Sequence, residues 1–289
     1  MSSRRRLVRR IIRQRSALAG LVVLALVLIC TLLVDYLPFS DGDAIDLERA
    51  LEPPSAEHPF GTDPFGRDIL ARVFQGARIS LGVGFLARTI SLLLGLVLGI
   101  AAGYFGGRLD SVIMRLADIT FAFPTLLLLI AIMAVISPGL VSLFIALGVV
   151  GWAAMARLVR AQVLVVRERE YVQAARSAGS GHVTLIVRHI LPQCIAPLIV
   201  VYTLGLGMTV MAESSLSFLG LGVQPPEPSW GRMISSGIVF MRTAPWLTIF
   251  PGLMLTLSVC SLNLVGDGLR DALDPRIVSS APSRSGDKK

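Results

Sequence analysis

Residues able to do chemistry are few and scattered along this chain of 289 residues. The only lysines are Lys288 and Lys289, with no Ser or Thr after them, so no GxxxxGK[ST] loop can place a lysine on a nucleotide phosphate. ATP hydrolysis by this chain is therefore not expected. Cys30, Cys194 and Cys260 lie far apart, each in or beside an apolar run, and read as small apolar residues, not as a disulfide or metal set. His58, His182 and His189 show no HExxH or paired-ligand spacing, so no metal site is expected. What remains is charge embedded in apolar sequence: Arg88, Asp118 and Glu213. A lone charge there costs at least ~2.5 kcal/mol on insertion scales and turns toward a partner or a water cavity. Asp118 has Arg115 at i−3 as an expected partner. Arg88 can be read as the outer boundary of its apolar segment, because Thr89–Tyr104 already supplies 16 mostly apolar residues. Glu213 has no local partner, and two readings stay open: it lines a translocation path, or it is a buried, hydrogen-bonded structural acid.

The elements that must carry these residues are membrane helices. The chain is 54% hydrophobic and 16% charged, with a mean hydropathy of +0.72. Six apolar segments stand out, near residues 17–37, 79–102, 116–136, 140–156, 195–221 and 245–265, each able to cross or nearly cross a ~30 Å hydrocarbon core. Ser137-Pro138-Gly139 divides the third from the fourth and predicts a tight helical hairpin. The first segment follows seven arginines and ends without a small-x-small cleavage site, so it is expected to be a retained span, not a signal peptide. The net charge of +8 rests almost wholly on arginine. With the N-terminus inside, 20 basic residues fall on inner segments against six on outer ones, which predicts both termini in the cytoplasm. These arginines act as topology signals, and no nucleic-acid partner is expected. Gly95–Gly99 and Gly103–Gly107 have GxxxG spacing, a weak signal for helix contact. The stretch from Ser279 is polar, rich in Ser and Pro, and expected to be poorly ordered.

One polar, arginine-bearing stretch, Glu168 to Gln193, is wedged between the apolar runs. Tyr171–Ala178 can form two helical turns with Ala174, Ala175 and Ala178 on a face of small side chains. Gly179-Ser180-Gly181 breaks it, and His182–Leu191 resumes a helical pattern up to Pro192, which can occupy the first turn of the fifth span. Such a small face suits a partner's groove. The same pattern also fits an interfacial helix that binds nothing.

Glu170, Ala174, Ala175, Gly179, Leu191 and Pro192 fall at the spacing of the EAA loop of ABC-importer permeases, which the stretch resembles over its whole length. Gln173 stands where the family pattern has the acid. Other blocks resemble the dipeptide/oligopeptide/nickel permease family: HPFGTDPFGRDILARVFQGARISL at 58–81, GYFGGRLDSVIMRLADITFAFP at 103–124, SLSFLGLGVQPPEPSWG at 215–231 and NLVGDGLRDALDPR at 263–276. The short external segment is similar to that of the C-type subunit, the second of two paired permeases. The resemblance implies an all-α polytopic membrane protein of six transmembrane helices with the type I ABC-importer permease fold. It divides the chain into a basic N-tail (1–16), a first transmembrane helix (17–37), an external segment (38–78), a five-helix permease core (79–276) with a coupling loop (168–192), and a flexible tail (277–289).

The resemblance also implies a function: translocation of di- or oligopeptides across the bacterial inner membrane. Expected partners are a homologous permease in a heterodimer, two ABC ATPase subunits and an external substrate-binding protein. ATP and Mg would bind the ATPases, with no cofactor on this chain. Residues expected to couple to the ATPase are Glu170, Tyr171, Gln173, Ala174, Ala175, Ala178, Gly179, Leu191 and Pro192. Alternatives within the family are nickel chelates, glutathione or haem as substrate. Outside it, a proton-driven secondary transporter would need paired ionisable groups at mid-membrane, and a membrane receptor or scaffold would not need the coupling loop.

Overall fold

Long apolar stretches with few breakers fold here into long helices. The computed structural model of the chain describes residues 14–36 and 42–273. Its helices are α1 (Arg15–Leu33), α2 (Ile69–Phe105), α3 (Gly107–Ala122), α4 (Thr125–Val135), α5 (Leu140–Arg167), α6 (Glu170–Ser177), α7 (His182–Phe218), α8 (Trp230–Gly237) and α9 (Trp246–Leu273). No strand forms among the described residues beyond one isolated bridge, Thr62 to Asp68. Residues 1–13 of the expected basic N-tail and the expected poorly ordered C-terminal tail lie outside the described residues.

Among the described residues, five helices are long and apolar enough to cross a membrane: α1, α2, α5, α7 and α9. The number reaches six if α3 and α4 are counted as one span, but this third span is not the straight helix expected over 116–136. It bends by 95° between α3 and α4. The cause is Pro124, whose ring pushes the preceding residue out of the helical region; Phe123 is extended, with φ −101° and ψ 140°. Several helices also run past their apolar segments. The second span starts at Ile69, within the segment expected to be external, and the fourth continues to Arg167.

A stripe of glycines sets the closest helix contact. A Cβ on Gly95 would lie 2.3 Å from Met155 Cβ, and one on Gly99 would lie 2.6 Å from the Ala156 carbonyl oxygen. Gly103 meets Val163 in the same way. With no Cβ in between, α2 and α5 bring their backbones together and gain dispersion contacts that lipid cannot supply. Gly107, next in the spacing, stands outside this contact at the start of α3. Similar close approaches join α1 to α9 at Gly20 and Gly268, and α7 to α9 at Gly207 and Gly266.

Ion pairs fasten α3 to α5. Arg160 holds Asp110 through two hydrogen bonds, with Nη2 to Oδ2 at 2.7 Å. Asp118 pairs with Arg157, not with Arg115 as expected. Arg157 and Arg160 of α5 thus reach across to the neighbouring helix, which local spacing along α3 cannot reveal.

The helices leave two poles. One holds the α2–α3 turn, α6 and the start of α7. The other holds residues 42–68 and 219–245. At the second pole Asp68 caps α2 by accepting from the Ala71 amide at 2.9 Å and meets His58 Nδ1 at 2.8 Å. Phe60 stacks on Phe250 at 3.9 Å, and the Trp246 indole donates to the Thr62 carbonyl. Residues 42–68 are therefore packed on the bundle. Helix α8 was not anticipated. Ser229 caps it, and the first residue, Trp230, is wholly buried with its indole N–H donating to the Val73 carbonyl at 2.9 Å.

Candidate functional site: a capped surface helix and the buried charges behind it

Helix α6 is only eight residues long, too short to persist alone. Its own body holds it in place. Val172 is 0% exposed and packs in a core with Val166, Leu185 and Ile190. Gln173 donates its side-chain amide to the Arg167 carbonyl at 3.0 Å, closing one of the open carbonyls at the end of α5. An ionised glutamate could not make that bond, so the departure from the family acid has a structural use here. Arg167 in turn donates to the Gly103 carbonyl at 2.8 Å and ties the end of α5 to the end of α2. Tyr104 and His182 are joined by a 2.8 Å hydrogen bond, which pins the start of α7 to the same place.

The end of α6 is a Schellman motif. The Ser180 amide donates to the Ala175 carbonyl at 3.1 Å and the Gly179 amide to the Arg176 carbonyl at 3.0 Å. Gly179 supplies the left-handed residue this turn needs, at φ +82°. Glu170 in the first turn and Arg176 in the last complement the helix dipole.

The expected small face divides in two. Ala174 and Ala178 point outward with Glu170 and Tyr171, the latter 44% exposed. Ala175 is partly buried against the core around Val172. Leu191 is partly buried and Pro192 exposed, not at a fresh helix start but inside the continuous α7. A π turn at Leu185–Ile190 precedes them, with the Leu191 amide bonded to the Ile186 carbonyl. The wider turn takes in the proline without ending the helix.

Glu213 lies in α7 toward the opposite pole and is 0% exposed. Ser217 donates to one carboxyl oxygen at 2.7 Å and Ser214 to the other at 3.1 Å. Ser80 of α2 and Ser229, the cap of α8, lie beside the same carboxyl group and accept from the Trp230 and Arg232 amides. One carboxyl group thus gathers four hydroxyls from three helices. Arg88 sits at the middle of α2, 9% exposed, donating to the Val201 carbonyl of α7 at 2.7 Å. Its Nε has no hydrogen-bond partner among the described residues, and its guanidinium lies where a Cβ on Gly205 would be.

Sequence reasoning missed Val172, Arg167 and the Tyr104–His182 contact, which position α6. Val172 was the one readable signal, a lone valine in a polar two-turn helix.

Comparison with known proteins gives this geometry its context. Residues 95–279 match the family described as "Binding-protein-dependent transport system inner membrane component", and residues 2–54 match the "N-terminal TM domain of oligopeptide transport permease C". The chain is 43% identical over 267 residues to the dipeptide transport system permease protein DppC of Alkalihalophilus pseudofirmus, covering 92% of this chain and 88% of that one. It is 42% identical over 272 residues to the glutathione transport system permease protein GsiD of Pectobacterium atrosepticum, covering 94% and 90%. To the oligopeptide transport system permease protein OppC of Bacillus subtilis it is 40% identical over 261 residues, covering 90% and 86%. In fold it is similar to a chain of the MetNI methionine ABC transporter in an inward-facing form. That match has a TM-score of 0.57 at 18% identity and covers 70% of this chain and 96% of the other. The chain therefore belongs to the binding-protein-dependent transport system inner membrane components, the multi-pass permeases of ABC importers, and groups among them with the C-type dipeptide and oligopeptide permeases.

Proposed function

We propose that this chain is the permease subunit of an ATP-driven importer of di- and oligopeptides, fed by an external binding protein and powered by separate ATPase subunits that seat on α6. The observation that carries the reading is α6 itself: anchored from behind by Val172, closed by the Gly179 turn, and offering Ala174 and Ala178 to the outside. Methyl groups allow a groove to approach the helix backbone closely, while the anchor passes a push on α6 into α5 and α7. A homologous permease completes the heterodimer, and ATP with Mg binds on the ATPases. The arginine bias supports both termini and α6 on the cytoplasmic side of the bacterial inner membrane.

The names of the relatives favour peptides over nickel or haem. The glutathione relative favours a second reading within the same chemistry, since glutathione is itself a short peptide. Two measurements test the proposal. The first is co-purification of the ATPases with the chain together with uptake of labelled dipeptide, glutathione and nickel into vesicles. Nickel uptake without peptide uptake would reject the substrate class. The second is labelling of single cysteines placed at Ser180 and Ser55. Reaction of the former from outside intact cells would reject the orientation.

A further inference from the structure

At the pole opposite α6, residues 45–67, the 225–228 turn, α8 and the start of α9 enclose a cavity of about 780 Å³. That is within the range of small-molecule sites, roughly 300–1,000 Å³. Its walls combine apolar groups, among them Phe65, Met233 and Phe240, with charged residues. Most of that charge is already spent within the fold. Asp63 holds Arg67 at 2.6 Å and lies 4.0 Å from Arg72, which also pairs with Asp43. Two groups are left. Among the described residues, neither the Glu227 carboxylate nor the Arg232 guanidinium makes a hydrogen bond or ion pair. They are not paired with each other, yet both line this one cavity. Prolines 225, 226 and 228 stiffen the turn that carries Glu227.

One free acid and one free base in the wall of a partly apolar cavity form the complement of a zwitterion with a hydrophobic middle. We propose that this cavity is a vestibule site for a short zwitterionic peptide, with its α-carboxylate on Arg232, its α-ammonium on Glu227, and its side chains against Phe65, Met233 and Phe240. A guanidinium receives a carboxylate through two parallel hydrogen bonds, which fixes the end of the peptide and its direction. The inference rests on the peptide-importer reading and adds a stop on the permease before the membrane path.

The test uses the whole complex in nanodiscs, without binding protein, and radiolabelled tri-alanine. Saturable binding is expected, weakened about tenfold by C-terminal amidation or by N-acetylation of the peptide, which is ~1.4 kcal/mol each. Arg232→Gln should bind the free and the amidated peptide equally. Glu227→Gln should bind the free and the acetylated peptide equally. Both side chains are unpartnered, so neither change should lower the thermal midpoint of the complex. The proposal is overturned by no saturable binding up to about 10 mM, by discrimination that survives both substitutions, or by free alanine competing as well as tri-alanine. It is also overturned if the substitutions weaken only capture of the binding protein, which would make the cavity a protein-docking surface. Uptake of tri-alanine into sealed vesicles carrying the wild-type complex and its binding protein separates the two readings. Import without vestibule binding sinks the vestibule alone, binding without import sinks the transport reading alone, and loss of both sinks both.

Discussion

The turn that ends α6 gives the sharpest prediction, because conformation and bulk predict different orders of damage there. Gly179 has φ +82°, and a Cβ on it would meet no atom within 4 Å. Substitution is therefore resisted by the backbone angle and not by crowding within the chain. A left-handed conformation costs an L-residue roughly 1–2 kcal/mol, less for Asn and more for a β-branched side chain. A loss of that size shifts the balance between ordered and frayed last turn by about 5- to 30-fold. If ATPase docking needs the ordered turn, Gly179→Asn should keep most co-purification and peptide uptake, Gly179→Ala should lose part, and Gly179→Val should lose most. The six-span bundle should stay inserted throughout. Were docking limited by space in the partner's groove, the order would follow volume and Ala would be the mildest. Retention of more ATPase by Gly179→Ala than by Gly179→Asn would refute the conformational account.

Three further outcomes follow from the packing. Ala174→Trp and Ala178→Trp, on the exposed face, should abolish ATPase co-purification at unchanged thermal midpoint. Ala175→Trp should lower the midpoint as well, because Ala175 packs on the core; equal midpoints for all three would contradict the divided face. Gly99→Ala should destabilise the complex by about 1–3 kcal/mol through overpacking against α5, seen as a lower melting midpoint, while Gly82→Ala, with nothing within 4 Å, should not. Glu213→Gln brings amide donors onto serine hydroxyls that already donate to this site, at about 1–3 kcal/mol. It should reduce the amount of complex in the membrane without changing uptake per complex, and unchanged amount with altered uptake would favour the path role instead.

Much of this was legible in the sequence where a signal is local. Runs of apolar residues marked the spans, four-residue glycine spacing hinted at a close helix contact without naming the partner, and Gly179 after a two-turn pattern marked the end of α6. Signals spread across elements were not legible. Glu213 does have local partners, contrary to expectation: Ser214 and Ser217 lie one and four residues along its own helix, whereas Ser80 and Ser229 reach it only through folding. Asp118 passes over a neighbour three residues away for Arg157 on another helix. The carbonyl that α7 offers to Arg88 was equally invisible, because hydropathy counts residues along one segment only. Helix α8 was overlooked although Ser229 before Trp230 is a capping signal, because two turns are too short for periodicity to register.

The continuity of α7 has a mechanical consequence. From His182 to Phe218 it spans 37 residues, about 55 Å at the usual helical rise. One end is pinned beside α6 by the Tyr104–His182 bond, and the other is fastened through Glu213 to Ser229, the cap of α8. Were such a rod to pivot, the Arg88 contact at Val201, roughly at mid-length, would be the natural fulcrum. A tilt of about 10° there would carry either end by roughly 5 Å, given that length. The swing would move α8, and with it Arg232, in the sense opposite to α6. A stroke delivered at one face of the membrane would thus be felt as a change of shape in the cavity at the other, a displacement that paired spin labels at Thr184 and Ser236 could follow.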